Sequence, residues 1–319
     1  MAKKQRKFVD DGWAIWTDGD DICTIYLHDW LNPKGKSYVD LAIRIRNVKV
    51  STRMRVYVPF AVSREEIDDV SLLFNDTKIL QAIFGSACVV DYKKNACTSE
   101  IAYFGKTVDI IHLSTLDYQL SPLSDGTLLD IDFASLQPHI VNDEAYLIWR
   151  MPHKSLDNVF GTYKSAGSFF ARLRDRITTP IQSEKYGYSI RVNESRHLPP
   201  EINKLGAFHR QKLKKAVVTV SVSEDYEIND ANCFQIRRLE ESLYHDFVPN
   251  GFSCDGAISY QWKESAKEIG LRGKFNFYLN IKREVVSAAS MVIYMILLVI
   301  MGGFGNFFAD LTYWFVSLF

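Results

Sequence analysis

VVSAASMVIYMILLVIMGGFGNFFA, from Val285 to Ala309, is a run of 25 residues without a charge, densest between Met291 and Met301. A helix rises about 1.5 Å per residue, so this run is long enough to cross a hydrocarbon core about 30 Å thick. Lys282 and Arg283 stand just before it and no basic residue follows, which puts its N-terminal end on the cytoplasmic side by the positive-inside rule. Met1 to Asp11 has the charges of a signal peptide (Lys3, Lys4, Arg6, Lys7) but no apolar core behind them, so the expected place of the N-terminal domain is the cytoplasmic face of a cell inner membrane.

Beyond Met301 two readings stay open. Gly302, Gly303, Gly305 and Asn306 are able to turn the chain into a hairpin, but the 13 residues from Phe307 to Phe319 are short for a second span and contain Asp310. The favoured reading is one spanning helix that exits near Asn306 to Asp310, with Tyr313, Trp314, Phe315 and Phe319 in the far interface, where aromatic rings prefer to sit. Asn306 and Asp310 are four apart and share a helix face, which Gly302 continues one turn back. In an oligomer that face makes an acidic ring at a cation pathway; alternatively, Asp310 lies among the headgroups. Tyr294, Gly302, Asn306 and Asp310 are the candidate pore or membrane residues.

The 319 residues carry 38 basic and 38 acidic side chains, unevenly spread. Met1 to Phe60 is net +4, Ala61 to Ala145 net −9, Tyr146 to Lys215 net +9, and Ala216 to Phe319 net −4. Either the acidic and basic thirds face each other, within the fold or across subunits, or the basic third meets an anionic ligand. Five cysteines with no CxxC pair suggest neither a disulfide framework nor a zinc site.

Before the membrane run, strand-like alternation dominates. Val39, Leu41, Ile43 and Ile45 share one side; parity flips after Asn47, and Val48, Val50, Met54, Val56, Val58 and Phe60 share the other, which reads as paired strands with a bulge or bend. Ser63-Arg-Glu-Glu66 is a capping box opening a helix through Phe74, and a second helix covers Lys78 to Phe84. Strands are expected at Cys88–Tyr92, Ile101–Phe104, Val108–Leu113, Leu128–Phe133, Ala145–Trp149, around Tyr186–Val192, at Val218–Val222 and at Phe275–Ile281. Ile202 to Lys215 reads as a basic helix and Phe234 to Phe247 as an amphipathic one. The fold class is α+β: a mixed or antiparallel, β-rich cytoplasmic domain with several helices, followed by a C-terminal transmembrane helix. It is laid out as an N-terminal part (1–150), a basic second part that is the candidate ligand sensor (151–283) and a membrane segment (284–319). Only Lys282 to Glu284 join the last strand to the membrane helix. So short a join, without glycine or proline, is stiff enough to pass a displacement onward.

Catalytic patterns are missing: there is no HExxH, GxSxG, Walker A or GxGxxG sequence, and the seven histidines form no close pair at ligand spacing. Asp18, Asp20 and Asp21 around Gly19 lack the further oxygens of a calcium loop. The chain reads as a non-enzyme with no cofactor and no metal. The basic third, in contrast, interleaves cations with rings. Arg150, His153, Lys154, Arg172, Arg174, Arg176, Tyr188, Arg191 and Arg196 form the candidate ligand-binding set, because guanidinium forks match phosphate oxygens and aromatic faces stack bases. Anionic lipid is an alternative target for the same cations.

A soluble domain followed by a C-terminal membrane segment resembles the membrane effectors of bacterial anti-phage systems, most nearly the effector of the Hailong system. That family is understood as an oligomeric channel held inactive by DNA oligomers. The resemblance is one of layout and carries no residue role with it. It implies a homo-oligomer in membrane lipid, a nucleotide or oligonucleotide second messenger, and a nucleotide-synthesising partner enzyme. Two other readings are a tail-anchored adaptor or scaffold without channel activity and a membrane-tethered enzyme with an unrecognised site.

Overall fold

The alternation beginning at Val39 becomes β3 (Tyr38–Arg46), which lies between β2 (Ile22–Trp30) and β10 (Glu144–Pro152) with antiparallel pairing on both sides. The structure is a computed structural model that describes residues 11–317, apart from 20–21, 33–34, 50, 85–87, 93–97, 104–105, 125, 135–136, 154–180, 207, 209–210, 229–232, 266–273 and 287. These three strands are the middle of a nine-stranded sheet. Its order is β14 (Gln235–Arg238), β15 (Ala257–Ser265), β12 (Lys212–Ser223), β2, β3, β10, β7 (Lys106–Ile111), β6 (Thr98–Tyr103) and β5 (Cys88–Tyr92). A seven-stranded sheet has the order β13 (Tyr226–Ile228), β16 (Phe275–Val286), β11 (Ile181–Val192), β1 (Asp11–Thr17), β4 (Arg53–Val58), β9 (Gly126–Asp132) and β8 (Tyr118–Leu123). Both sheets are mixed, since β12 runs parallel to β2, β7 to β10 and β11 to β1. The expected α+β, strand-rich class is the one observed.

The parity flip at Asn47 has a different cause from the bulge the sequence suggests. β3 and β4 do not pair: β3 belongs to the nine-stranded sheet, while β4 pairs with β1 and β9 in the other. Asn47 adopts a left-handed backbone with φ 55°, a conformation that asparagine tolerates better than most residues, and the chain crosses there from one sheet to the next. An inward-facing row on one sheet thus becomes an inward-facing row on the other.

Alternate residues face a shared core. Ile25, Leu27, Leu41, Ile43, Leu147 and Trp149 from one sheet, and Trp13, Ile15, Val56, Leu129 and Ile190 from the other, are almost fully buried. Rings meet across the gap: Trp262 of β15 lies 4.9 Å from Phe277 of β16, centroid to centroid. The outer face of the nine-stranded sheet has its own core, in which Trp30, Ala42, Tyr146 and Ile148 pack under Phe74, under Leu80 of α1 (Thr77–Phe84) and under Tyr244 and Phe247 in and after a short helix, Glu241–Tyr244. On the outer face of the other sheet, Ala14, Trp16 and Tyr57 pack with Leu198, Phe208 and Ile202 of α2 (Pro200–Leu205). We call Glu241–Tyr244 α3.

Three helices read from the sequence are shorter than expected. The capping box forms, with the Ser63 amide donating to Glu66 Oε2 at 3.0 Å, but it starts only a 3-10 turn, Arg64–Glu66. Asp68 then extends to exchange backbone hydrogen bonds of 2.9 Å with Arg150, and Asp69 caps a fresh 3-10 segment, Val70–Asn75. The basic helix stops at Leu205 because Gly206 turns left-handed at φ 63°, and β12 has begun by Lys212. The amphipathic stretch splits into β14 and α3, since strand pairing of Gln235–Arg238 with β15 outweighs helical spacing. β8 escapes prediction because it is a mostly exposed edge strand containing Pro122, so it shows no clean alternation.

By its internal contacts the chain divides into two compact units. The larger comprises Met1–Phe160, Gly187–Glu224 and Ile228–Asn280; the smaller comprises Gly161–Tyr186, Asp225–Glu227 and Ile281–Phe319. The larger unit takes strands from both sides of residue 150. The smaller contains α4 (Ala288–Val316), which is 29 residues long.

Candidate functional site

Within α4, Met291–Trp314 spans 24 residues; its 18-residue apolar window has a mean hydropathy of 2.1, and none of the described residues of that window is buried in the protein. At about 1.5 Å per residue the whole segment measures about 36 Å, long and apolar enough to cross a membrane. The helix is continuous through Gly302, Gly303 and Gly305 and does not turn back as a hairpin. Asn306 and Asp310 lie one turn apart on this exposed helix, and Tyr294 is exposed as well. Asp310 precedes the end of the apolar segment by four residues, about 6 Å of helix. At that depth in a bilayer a carboxylate would cost less than at the centre. Thr312 returns its hydroxyl to the carbonyls of Phe308 and Ala309 at 2.9 and 2.7 Å, so its polar group is satisfied within the helix.

The structure distributes the described members of the ligand-binding set over three places. Arg150 is interior. It points to the outer face of the nine-stranded sheet, where its Nε and Nη2 donate to Asp40 Oδ1 and Oδ2 at 2.6 and 2.8 Å and Nη2 also donates to the Phe247 carbonyl at 2.7 Å. Trp30 and Phe247 present their rings to the same guanidinium, 5.6 and 5.3 Å away. Tyr188 and His153 lie in the core between the sheets. The Tyr188 hydroxyl donates to Asp29 Oδ2 at 2.5 Å, and His153 Nε2 lies 3.6 Å from Asp29 Oδ1. Arg191 and Arg196 flank Glu194, at 3.4 and 2.9 Å. Burial pushes the Glu194 carboxyl up, but the Arg196 hydrogen bond, together with the charges of Arg196, Arg191 and His197, holds it below the ordinary range. Lys154, Arg172, Arg174 and Arg176 lie outside the described residues.

Burial drives His153 down to about 3, against 6.5 in an unfolded chain, with a backbone hydrogen bond opposing the shift. Between those values the unfolded chain binds a proton that the folded protein does not. Stability from this group is therefore complete above pH 6.5 and is lost as pH falls toward 3, at about 1.4 kcal/mol per pH unit. The depressed carboxylate of Glu194 acts in the same direction, but only below its unfolded value of about 4.3. Urea titrations of the full-length protein between pH 6.5 and 4.5 should accordingly show a falling midpoint, and His153→Gln should flatten that fall. An unchanged slope in the variant would mean that His153 is reached by protons in the folded state.

Two concavities adjoin these residues. One, of about 500 Å³, is lined by Lys36, Ser37, Tyr38, Glu65, Glu66, Asp68 and His153 among others. With three carboxylates to one lysine among the described lining residues, its charge is wrong for an anion. The other, of about 110 Å³, lies on the outer face of the nine-stranded sheet under α1 and α3, lined by Tyr26, His28, Asp40, Tyr146, Thr219, Arg237, Tyr244 and Gln261 with apolar neighbours. His28 stacks on Trp30 at 3.9 Å and shares a hydrogen bond with Ser221 Oγ at 2.8 Å. Burial first, then the charges of Arg237 and Arg150, keep its ring neutral well below the usual range. Among the described residues no group of three or more His, Cys, Asp or Glu side chains is placed to hold a metal ion. Nothing in local sequence marked this second cavity, because its walls come from strands far apart in the chain. No protein-family model matches the chain, and no curated protein matches it.

Proposed function

We propose that this chain is an oligomeric membrane effector of bacterial anti-phage defence. Its β-rich body senses an anionic nucleotide or oligonucleotide on the cytoplasmic side of the inner membrane, and its C-terminal helices, clustered in an oligomer, gate a pore. The observation that carries the proposal is α4: an apolar helix of spanning length, none of whose described residues is buried in its own protein, bearing Asn306 and Asp310 one turn apart. A single helix encloses no pathway, so conduction requires several copies arranged around an axis, with the polar face inward. β16 stays extended to Val286 and α4 begins at Ala288, so strand and helix are joined closely in sequence. Such a join suits the transmission of a change in the body to the helix. A nucleotide-synthesising enzyme would supply the ligand.

The test is ion flux through liposomes containing the purified full-length protein, with and without nucleotides extracted from the host. Flux that responds to nucleotide is expected, and Asp310→Asn should reduce cation flux at least tenfold while leaving incorporation unchanged. Stable incorporation without flux under any condition would reject the pore and leave a tail-anchored adaptor.

A further inference from the structure

The outer face of the nine-stranded sheet is ordered in cross-strand rows. One row holds Ser265, Lys215, Thr24, Arg44 and Tyr146; the next holds Lys263, Val217, Tyr26, Ala42 and Ile148; the third holds Gln261, Thr219, His28, Asp40 and Arg150. The 110 Å³ cavity sits over the second and third rows and reaches Tyr146 of the first; Lys215 and Lys263 do not line it but lie next to its wall on adjacent strands, offset by one row, with the Lys263 ammonium 5.2 Å from the Phe234 ring. Diagonal neighbours of this kind have Cβ atoms about 7–8 Å apart, within the span of two lysine chains converging on one anion.

Charge and size each limit what fits. The influences on the Lys215 ammonium all have one sign: burial, the Lys263 charge and the Arg44 charge together push it down. Lys215 also lies 5.6 Å from the ring of Tyr26, which lines the cavity. A bound anion would relieve that repulsion. Inside, Tyr26, Tyr146 and Tyr244 supply ring surfaces. Gln261 Nε2 donates to Thr219 Oγ1 at 3.3 Å, and both residues line the cavity. Ligand pockets usually measure about 300–1,000 Å³, whereas one water needs about 10–15 Å³. A volume of 110 Å³ lies between these, room for a group the size of one ring but not for a whole nucleotide, whose charged part would stay outside.

We infer that this cavity binds the base of a nucleotide, with Gln261 and Thr219 at its polar edge and with the phosphate held outside by Lys215 and Lys263. The inference rests on the reading of the body as a nucleotide sensor and moves the contact from the arginines of the basic third to the sheet face.

Calorimetric titration of the full-length protein in nanodiscs with each of the four nucleoside 5′-monophosphates, with the matching nucleosides and with inorganic phosphate tests it. At least one monophosphate should bind saturably and at least tenfold tighter than its nucleoside or than inorganic phosphate, with affinity falling as salt rises. Lys215→Gln combined with Lys263→Gln should weaken it at least tenfold, and Gln261→Ala should weaken it without changing the salt dependence. Saturable binding by none of the four, binding that survives both sets of substitutions, or inorganic phosphate binding as tightly as the nucleotide would overturn the site. Binding without flux would retain the site and reject the effector reading; nucleotide-dependent flux with no loss on these substitutions would do the reverse.

Discussion

Arg150→Ala should lower the unfolding free energy of the full-length protein by about 3–5 kcal/mol, read from the urea midpoint in detergent, because it strands a buried partner. Asp40 is 2% exposed; it would keep the Trp30 indole, which donates to Oδ2 at 2.8 Å, and lose two charge-assisted bonds. The Phe247 carbonyl would lose its donor at the same time, and the contacts of the guanidinium with the rings of Trp30 and Phe247 would go with it. Against a total stability of about 5–15 kcal/mol, a loss of that size puts a marginal domain close to unfolding. Removing both charges should cost much less: Arg150→Met with Asp40→Asn leaves no uncompensated ion, so the double variant should recover more than half of the deficit. A cost under 1 kcal/mol for Arg150→Ala would contradict this picture. Arg150 would then behave as a solvated surface cation, free to meet a ligand.

That result also bears on what local sequence reveals. Local sequence groups Arg150 with the cations of the basic third because its charge is visible there, while Asp40, 110 residues earlier, is not. A clue was present. Arg150 closes the apolar run Ala145 to Trp149, and strand parity places it on the same face as Tyr146 and Ile148, both buried. Strands whose two faces differ in polarity are readable for the same reason: β3 and β16 alternate cleanly, as do the Tyr186–Val192 part of β11 and the Val218–Val222 part of β12. Pairing was not readable, because β2 meets β12 in parallel across some 190 residues and nothing in either segment names the other. The cavity shares that limit. Tyr26, Ala42, Tyr146, Thr219 and Gln261 come together only through the register of five strands, so His28 reads in isolation as one lone histidine. At Asn47 the parity change was visible, but whether the chain bulges or leaves the sheet depends on partners distant in sequence.

The membrane segment is legible locally because its energetics need no tertiary partner. Between Met291 and Trp314 there are eleven Leu, Ile, Val and Phe residues. At about 0.3–0.6 kcal/mol each near the bilayer centre, they favour insertion by about 3–7 kcal/mol. One arginine at that depth costs about 2.5–3.5 kcal/mol, so two cancel most or all of the gain. Met295→Arg with Val299→Arg, one turn apart and both exposed on α4, should therefore release the full-length protein from membranes in alkaline carbonate and abolish its recovery in floated liposomes. Met295→Leu with Val299→Leu should leave both measurements unchanged, which separates polarity from altered side-chain shape. Both Arg residues are far from the β-rich body in sequence, so the urea midpoint of the released protein should match that of the parent. An arginine pair that stays carbonate-resistant would show that α4 is not what holds the protein to lipid, and the acidic face at Asp310 would then lose its place in any ion pathway.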